Sequence, residues 1–151
     1  MCPEVAPNLD YEFRGTMGTI LRCNQVDRKM VTYSLRHGAN TETDRIDEDW
    51  GSLRWLASQK IGNAQGLVVG RVVIEKGKAN PRHSHSNCEE VLYLLRGHLR
   101  HSIGDGTVLL EPGDVLVVGP GIAHNALNIG DDVADMIVAY SAGVRDFTLE
   151  K

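Results

Sequence analysis

The segment GKANPRHSHSNCEE, residues 77–90, is the most informative part of the chain, because it places two histidines and two adjacent carboxylates close together. In an extended strand, residues i and i+2 face the same side, so His83 and His85 can turn both imidazoles toward one point. A carboxylate that follows across a short turn can add an oxygen ligand, and a later strand carries His124. Three imidazoles and one carboxylate suit a divalent transition metal (Fe, Mn, Ni, Zn, Co or Cu), with positions left open for water or substrate.

The spacing of glycines extends this pattern on both sides. The segment from Gly77 to Gly97 reads Gly-x5-His-x-His-x4-Glu-x6-Gly, and the segment from Gly113 to Asn128 contains Pro-Gly-x2-His-x3-Asn. Together they resemble the paired motifs of the cupin superfamily. The second motif departs from the family at Gly119, which stands where the family has proline, but every ligand position matches. The resemblance covers residues 62–140.

The resemblance implies a jelly-roll barrel (a double-stranded β-helix) of six to eight strands with a metal inside one mouth. Its usual ligands map onto His83, His85, Glu90 and His124. Glu89 competes with Glu90, but the six-residue count to Gly97 favours Glu90, and strand parity sends Glu89 to the opposite face. We expect the second nitrogen of each imidazole to be held by a backbone carbonyl of the barrel.

The pattern of apolar runs and turn residues along the chain independently indicates an all-β fold. From Gly62 onward, short runs rich in Val, Ile and Leu alternate with turn sequences at a spacing of roughly 8–12 residues, which is typical of an antiparallel sandwich or barrel. Less regular runs predict extra N-terminal strands at 16–22, 29–36 and 52–57, and the acidic segment 40–49 predicts a loop. We therefore divide the chain into an N-terminal extension, 1–61, whose strands pack on the barrel or on a dimer partner, and a cupin barrel, 62–151.

Several residues are candidates for contact with a substrate. Arg71 interrupts an apolar run, so it either points into the cavity to bind an anion or pairs with a carboxylate or solvent at an edge strand. Tyr93, Tyr140 and Met136 are candidates for the cavity mouth. Trp50 and Trp55 are expected to cover one end of the barrel or a dimer contact. His37, His98 and His101 are interpreted as surface or structural residues, and Asn125 and Asn128 as residues that bond to backbone near their turn.

Composition excludes several classes of partner. The chain has 151 residues, a formal net charge of −4 and 5% aromatic residues, which disfavours nucleic-acid binding. It has neither an apolar run long enough for a membrane span nor a signal-like N-terminus, so we expect a cytoplasmic protein. Its three cysteines, Cys2, Cys23 and Cys88, are widely separated and are predicted to be reduced thiols.

The sequence supports two classes of function. The first is a small metal-dependent enzyme acting on an oxygen-rich small molecule. With iron it would be a dioxygenase, and with manganese, nickel or zinc a Lewis-acid isomerase, lyase or decarboxylase, in which Glu90 is a candidate base if it leaves the metal. The second is a non-catalytic cupin that binds or senses a carbohydrate or an organic acid. In either case we expect a homodimer formed through edge strands and N-terminal segments.

Overall fold

The computed structural model describes residues 18–21 and 30–150, and the chain divides into two compact units, Met1–Asn40 and Thr41–Lys151. In the first unit, β1 (Gly18–Leu21) pairs antiparallel with β2 (Met30–Tyr33), and a 3₁₀ turn spans Gly38–Asn40. Among the described residues, no helix has the length and apolarity needed to cross a membrane.

The second unit is built of antiparallel strands in two sheets. A six-stranded sheet has the order β10-β7-β12-β5-β4-β3, and a five-stranded sheet has the order β13-β6-β11-β8-β9. This arrangement confirms the predicted all-β class. The strands are β3 Arg45–Glu48, β4 Gly51–Ala57, β5 Val68–Ile74, β6 His83–Ser84, β7 Glu90–Arg96, β8 Leu99–Ile103, β9 Gly106–Leu110, β10 Val115–Val118, β11 His124–Asn128, β12 Ala134–Tyr140 and β13 Thr148–Leu149.

Alternation along β7 shows how the sequence directs side chains to the two faces of a sheet. Glu90, Leu92 and Leu94 are buried, whereas Val91 and Tyr93 between them are exposed. A strand with this period presents every second residue to the core. The core side chains come from both sheets, and the largest buried apolar ones are Ile74, Leu92, Leu94, Leu99, Met136 and Val138.

The segment 40–49 is not the loop that the sequence predicted. It contains a 3₁₀ turn, Glu42–Asp44, followed by β3, which pairs with β4 at the edge of the six-stranded sheet. All four residues of β3 are exposed, so backbone pairing holds the strand and no alternation of apolar residues marks it in the sequence. Strands β3 and β4, which fall within the predicted N-terminal extension, thus lie in the same sheet as β5.

The turn after β7 requires the glycine that the first motif contains. Gly97 has φ +91°, and a Cβ built on it would lie 2.7 Å from the Cα of Ala134. Asn128 supports the neighbouring turn: its Nδ2 donates to Ile74 O at 2.9 Å and to Asp132 O at 2.8 Å, and its Oδ1 accepts from Gly130 N at 3.0 Å. These contacts confirm the backbone-bonding role expected of Asn128.

Candidate metal centre

Four buried side chains converge between the two sheets. His83 lies on β6 and His85 just beyond it, Glu90 begins β7, and His124 begins β11. Each offers one ligand atom, and the four atoms lie within 4.8 Å of one another. The structure thus brings together all four residues that the sequence predicted as ligands. Glu89, the alternative, is exposed, as strand parity predicts.

Each imidazole is held in place by a backbone carbonyl. The Nδ1 of His83 lies 2.8 Å from Pro81 O, that of His85 2.5 Å from Asp146 O, and that of His124 2.7 Å from Ile122 O. Because a carbonyl oxygen can only accept, Nδ1 carries the proton in each ring, and Nε2 can offer its lone pair to the centre. These three bonds agree with the carbonyl acceptors expected from the sequence.

The ligand atoms require a positive charge among them. Glu90 Oε2 lies 3.0 Å from Nε2 of His124 and 3.2 Å from Nε2 of His85, which is buried without a hydrogen-bond partner. Lone pairs on nitrogen and carboxylate oxygen repel each other at these distances unless a proton or a cation lies between them. A divalent transition metal with nitrogen and oxygen ligands fits this donor set.

Electrostatics within the cluster keep the carboxylate ionised and one histidine neutral. Burial by itself would raise the pKa of Glu90, but the adjacent imidazoles of His124 and His85 outweigh it and hold that pKa well below its usual value. Burial lowers the pKa of His83 to about 4. Glu90 and His83 are therefore already in the protonation states that metal binding needs at neutral pH.

A cavity of about 370 Å³ opens beside the ligands. Its wall is mostly apolar, with a few polar groups that include Asn80, His101 and Arg145. The apolar part of the wall comprises Trp50, Leu53, Trp55, Val72, Ile74, Pro81, Leu92, Ala126, Met136, Val138, Phe147 and Leu149. This composition is typical of a small-molecule site.

The structure separates the four residues predicted to contact substrate into two pairs. Met136 and Tyr140 line the cavity, and Tyr140 is the cross-strand neighbour of Glu90. Burial and the nearby Glu90 raise the pKa of Tyr140 well above its usual value, so its phenol stays protonated. Contact between these two residues and a substrate stays a prediction.

Arg71 and Tyr93 lie outside the cavity wall. Tyr93 belongs to the exposed face of β7 and is 43% exposed. Arg71 forms a bidentate pair with Asp135, with Nε 2.8 Å from Oδ1 and Nη2 2.5 Å from Oδ2. Of the two roles that the sequence allows for Arg71, the structure therefore shows the pairing with a carboxylate. The predicted edge-strand position is not seen, because β5 is an interior strand of its sheet. The pairing satisfies the charge without a ligand.

His101 is a residue of the cavity wall that sequence reasoning did not place there. It is 2% exposed, lines the cavity and stacks on His124 with ring centroids 5.8 Å apart. Burial lowers its pKa to about 4, so the ring is neutral at pH 7. Alternation from Leu99, the buried residue two positions earlier, was the signal that could have identified it.

The C-terminal segment also contributes side chains that no motif indicated. Phe147 stacks on His83 with ring centroids 4.5 Å apart, and Arg145 lies at the cavity wall. Asp146 anchors the segment, since its carboxylate accepts from Ser86 N at 2.7 Å and also from Ser86 Oγ. Cys88, the free thiol between the ligands in sequence, lies in the hydrophobic core, and burial raises its pKa.

Comparisons with known proteins agree with this geometry. A family model described as Cupin domain matches residues 70–140. Germin-like protein 4-1 of Oryza sativa subsp. japonica is 34% identical over 90 residues, which cover 53% of this chain and 35% of that protein. Bacillus subtilis oxalate decarboxylase, a protein with Mn(II) centres, superposes on this chain with a TM-score of 0.70 and 20% sequence identity. The match covers 84% of this chain and 35% of the decarboxylase chain.

A Klebsiella pneumoniae protein with a double-stranded β-helix domain matches over more of its own length. Its TM-score is 0.63 at 20% identity, and the match covers 73% of this chain and 92% of that protein. The chain spans only 35% of the length of the germin-like relative and of the decarboxylase. The structural matches, at these identities, define the fold.

Proposed function

We infer that this chain is a member of the cupin superfamily, and we propose that it holds one divalent transition metal and uses it to convert an oxygen-rich small molecule. The ligands are His83, His85, Glu90 and His124. Two observations carry the proposal: all three rings donate Nδ1–H to backbone carbonyls, and the four ligand atoms lie within 4.8 Å of one another. Manganese is a reasonable first metal to test, because the structurally similar oxalate decarboxylase has Mn(II) centres.

The bound metal would supply either activation of dioxygen together with a chelating substrate or Lewis-acid polarisation of a carbonyl or hydroxyl. The protein's own residues prepare the site for either reaction. Leu92, Met136 and Val138 exclude water from the wall beside the ligands. His101 donates Nδ1–H to Ser102 O at 3.0 Å, so its Nε2 is the nitrogen able to accept a hydrogen bond from a substrate hydroxyl.

Glu90 suits the role of a ligand better than that of a base. The imidazoles of His124 and His85 that keep the pKa of Glu90 low also make its carboxylate a weak proton acceptor. Its catalytic role as a base, expected from the sequence, stays a prediction.

Metal analysis of protein purified without added metal tests the ligand set. We expect His83→Ala and Glu90→Ala to lower the metal content at least tenfold, because removal of one partner of such a centre typically costs that much affinity. His98→Ala is the matched control, because His98 is exposed and lies outside the cluster. Metal content that is unchanged in both ligand variants contradicts the assignment.

Turnover assays then distinguish the reaction classes. Oxygen consumption with enols, catechols or hydroxy acids would identify an oxygenase, and conversion without oxygen uptake would identify an isomerase, lyase or decarboxylase. Tight binding without turnover of any of these compounds would favour the non-catalytic binding or sensor function.

The proposal includes assembly as a homodimer. β10 is an edge strand of the six-stranded sheet, and its Val115 and Val117 are 60% and 58% exposed. Apolar edges of this kind are usually covered or paired. Light scattering that gives the mass of one chain would contradict the dimer.

A further inference from the structure

Arg145 places a cation against the wall of the cavity and inside an aromatic cluster. Its guanidinium carbon lies 4.7 Å from the ring centroid of Trp55, 5.1 Å from that of Tyr140 and 5.2 Å from that of Phe147. The side chain is half-buried and lines the cavity together with these three rings. The aromatic faces stabilise its positive charge, but they leave its N–H groups without acceptors in the plane of the guanidinium.

No oxygen atom in the described part of the chain accepts a hydrogen bond from the Arg145 side chain. Its one hydrogen-bond neighbour is Nδ1 of His85 at 3.5 Å, and that nitrogen already donates its own proton to Asp146 O. Other arginines of the same unit have carboxylate partners: Arg54 pairs with Glu42, Arg71 with Asp135 and Arg82 with Glu150. Arg145 is thus a half-buried, cavity-lining guanidinium that has no oxygen partner among the described residues.

The charge of the loaded site also favours an anion, on the premise of the proposed metal centre. A divalent metal, the Glu90 carboxylate and the Arg145 guanidinium sum to a positive charge beside an apolar wall. Glu48, at the rim, is exposed and therefore screened by solvent. Uncompensated charge of one sign is costly in such surroundings, and a bound anion relieves it.

The position of the guanidinium indicates where the anionic group lies. It contacts the Nδ1 edge of His85, whereas the Nε2 edge of the same ring faces Glu90. The width of an imidazole therefore separates the guanidinium from the cluster of ligand atoms. Arg145 is the one lysine or arginine among the described residues that line the cavity, and a single guanidinium matches a singly charged carboxylate in particular.

We propose that Arg145 binds the carboxylate of the substrate, and that the substrate is an organic acid whose carboxylate is separate from the pair of oxygens that it presents to the metal. This inference rests on the proposed function and names its substrate class. It also transfers to Arg145 the anion-binding role that the sequence suggested for Arg71.

The test compares two probes that have the same shape but different charge, 3,4-dihydroxybenzoate and 3,4-dihydroxybenzamide. Isothermal titration calorimetry measures their affinities for the full-length, metal-loaded protein. We expect the carboxylate to bind at least tenfold more tightly than the amide, a difference of about 1.4 kcal/mol. Arg145→Gln should reduce this preference to less than threefold, and Arg145→Lys should retain part of it, because the charge remains but the bidentate geometry is lost.

Arg71→Gln is the matched control, because it removes an arginine that lies outside the cavity wall. It should keep the full preference. Metal content and the melting temperature of each variant show whether the site is still folded. A preference that survives in Arg145→Gln, or its absence from the wild-type protein, overturns the inference and leaves the metal centre untouched.

Failure of the metal centre gives a different result. A wild-type protein that binds no metal overturns the proposed function, and this appears in the metal analysis before any probe is added. The preference for 3,4-dihydroxybenzoate over 3,4-dihydroxybenzamide can still be measured in that protein. Its dependence on Arg145 then supports the carboxylate site, and its independence of Arg145 overturns it.

Discussion

His83 and His124 face each other directly across the antiparallel strands β6 and β11, with their Cα atoms in register and their ring centroids 4.5 Å apart. Each ring donates Nδ1–H to the carbonyl of the residue two positions earlier, Pro81 or Ile122. The orientation of both rings is therefore set by short local bonds and by strand pairing. Such a pair is preorganised to receive a metal.

Metal binding is expected to stabilise a protein that is already folded. Chelator treatment should leave the β-sheet circular dichroism spectrum intact. Metal at a hundred times its dissociation constant should add about 2.7 kcal/mol. For a unit of this size, that corresponds to a rise in melting temperature of about 8–12 °C. Thermal melts with and without Mn(II) measure the shift. His83→Ala should show little of it, and an equal shift in that variant would place the metal elsewhere.

The metal-free protein should lose stability as the pH falls from about 6.5 to about 4, in part because of His101. Burial lowers the pKa of His101 from 6.5 to about 4 in the folded state. Between these values the unfolded chain binds a proton that the folded protein excludes, so stability rises with pH. The contribution of neutral, buried His101 to the free energy of unfolding is fully present above about pH 6.5 and is lost as the pH falls toward 4.

Urea unfolding of chelator-treated His101→Gln at several pH values checks this contribution. The variant should lack about 2–3 kcal/mol of the pH dependence over that range. A wild-type slope in His101→Gln would show that His101 does not titrate as expected.

Two glycines of the motif region should differ sharply in their tolerance of alanine. Gly97→Ala introduces a Cβ 2.7 Å from the Cα of Ala134 at φ +91°, and we expect a loss of about 2–4 kcal/mol in the free energy of unfolding. Gly119→Ala meets nothing within 4 Å and should change that free energy by less than about 0.5 kcal/mol. Chemical denaturation measures both, and equal costs would contradict the steric explanation.

Substitutions of Met136, on the cavity wall, and Tyr93, on the outer face of the sheet, should have different effects on ligand affinity. Met136 is 1% exposed, so Met136→Ala should cost about 2–4 kcal/mol and should alter ligand affinity. Tyr93→Ser, on the exposed face, should leave ligand affinity unchanged. Calorimetry with 3,4-dihydroxybenzoate compares the two variants. A larger affinity change for Tyr93→Ser would mean that the ligand binds outside the cavity.

Much of the fold was predictable from local pattern. Strands such as β5 and β12 were recognisable because apolar and β-branched runs were bounded by turn residues. β3 escaped prediction because its four residues are all exposed, and its pairing with β4 leaves no signal in hydrophobicity.

The four residues of the candidate metal cluster were predictable from the sequence alone. His83 and His85 are two residues apart on an extended segment, and the motif spacing places Glu90 and His124 on the strands that complete the cluster. Strand periodicity is a local property, so a single chain segment is enough to reveal it. The same parity correctly separated Glu90 from Glu89.

Which arginine faces the cavity could not be predicted from the sequence, because it depends on how the sheets pack. Strand parity says that alternate residues lie on opposite faces, but sheet packing determines which face is internal, and Arg71 lies on the outer face with Asp135. Arg145 and Phe147 reach the site because the chain returns to it after β12, where Asp146 O, 61 residues away along the chain, accepts the proton of His85. Contacts at such separation depend on how the whole barrel closes, which no local pattern encodes.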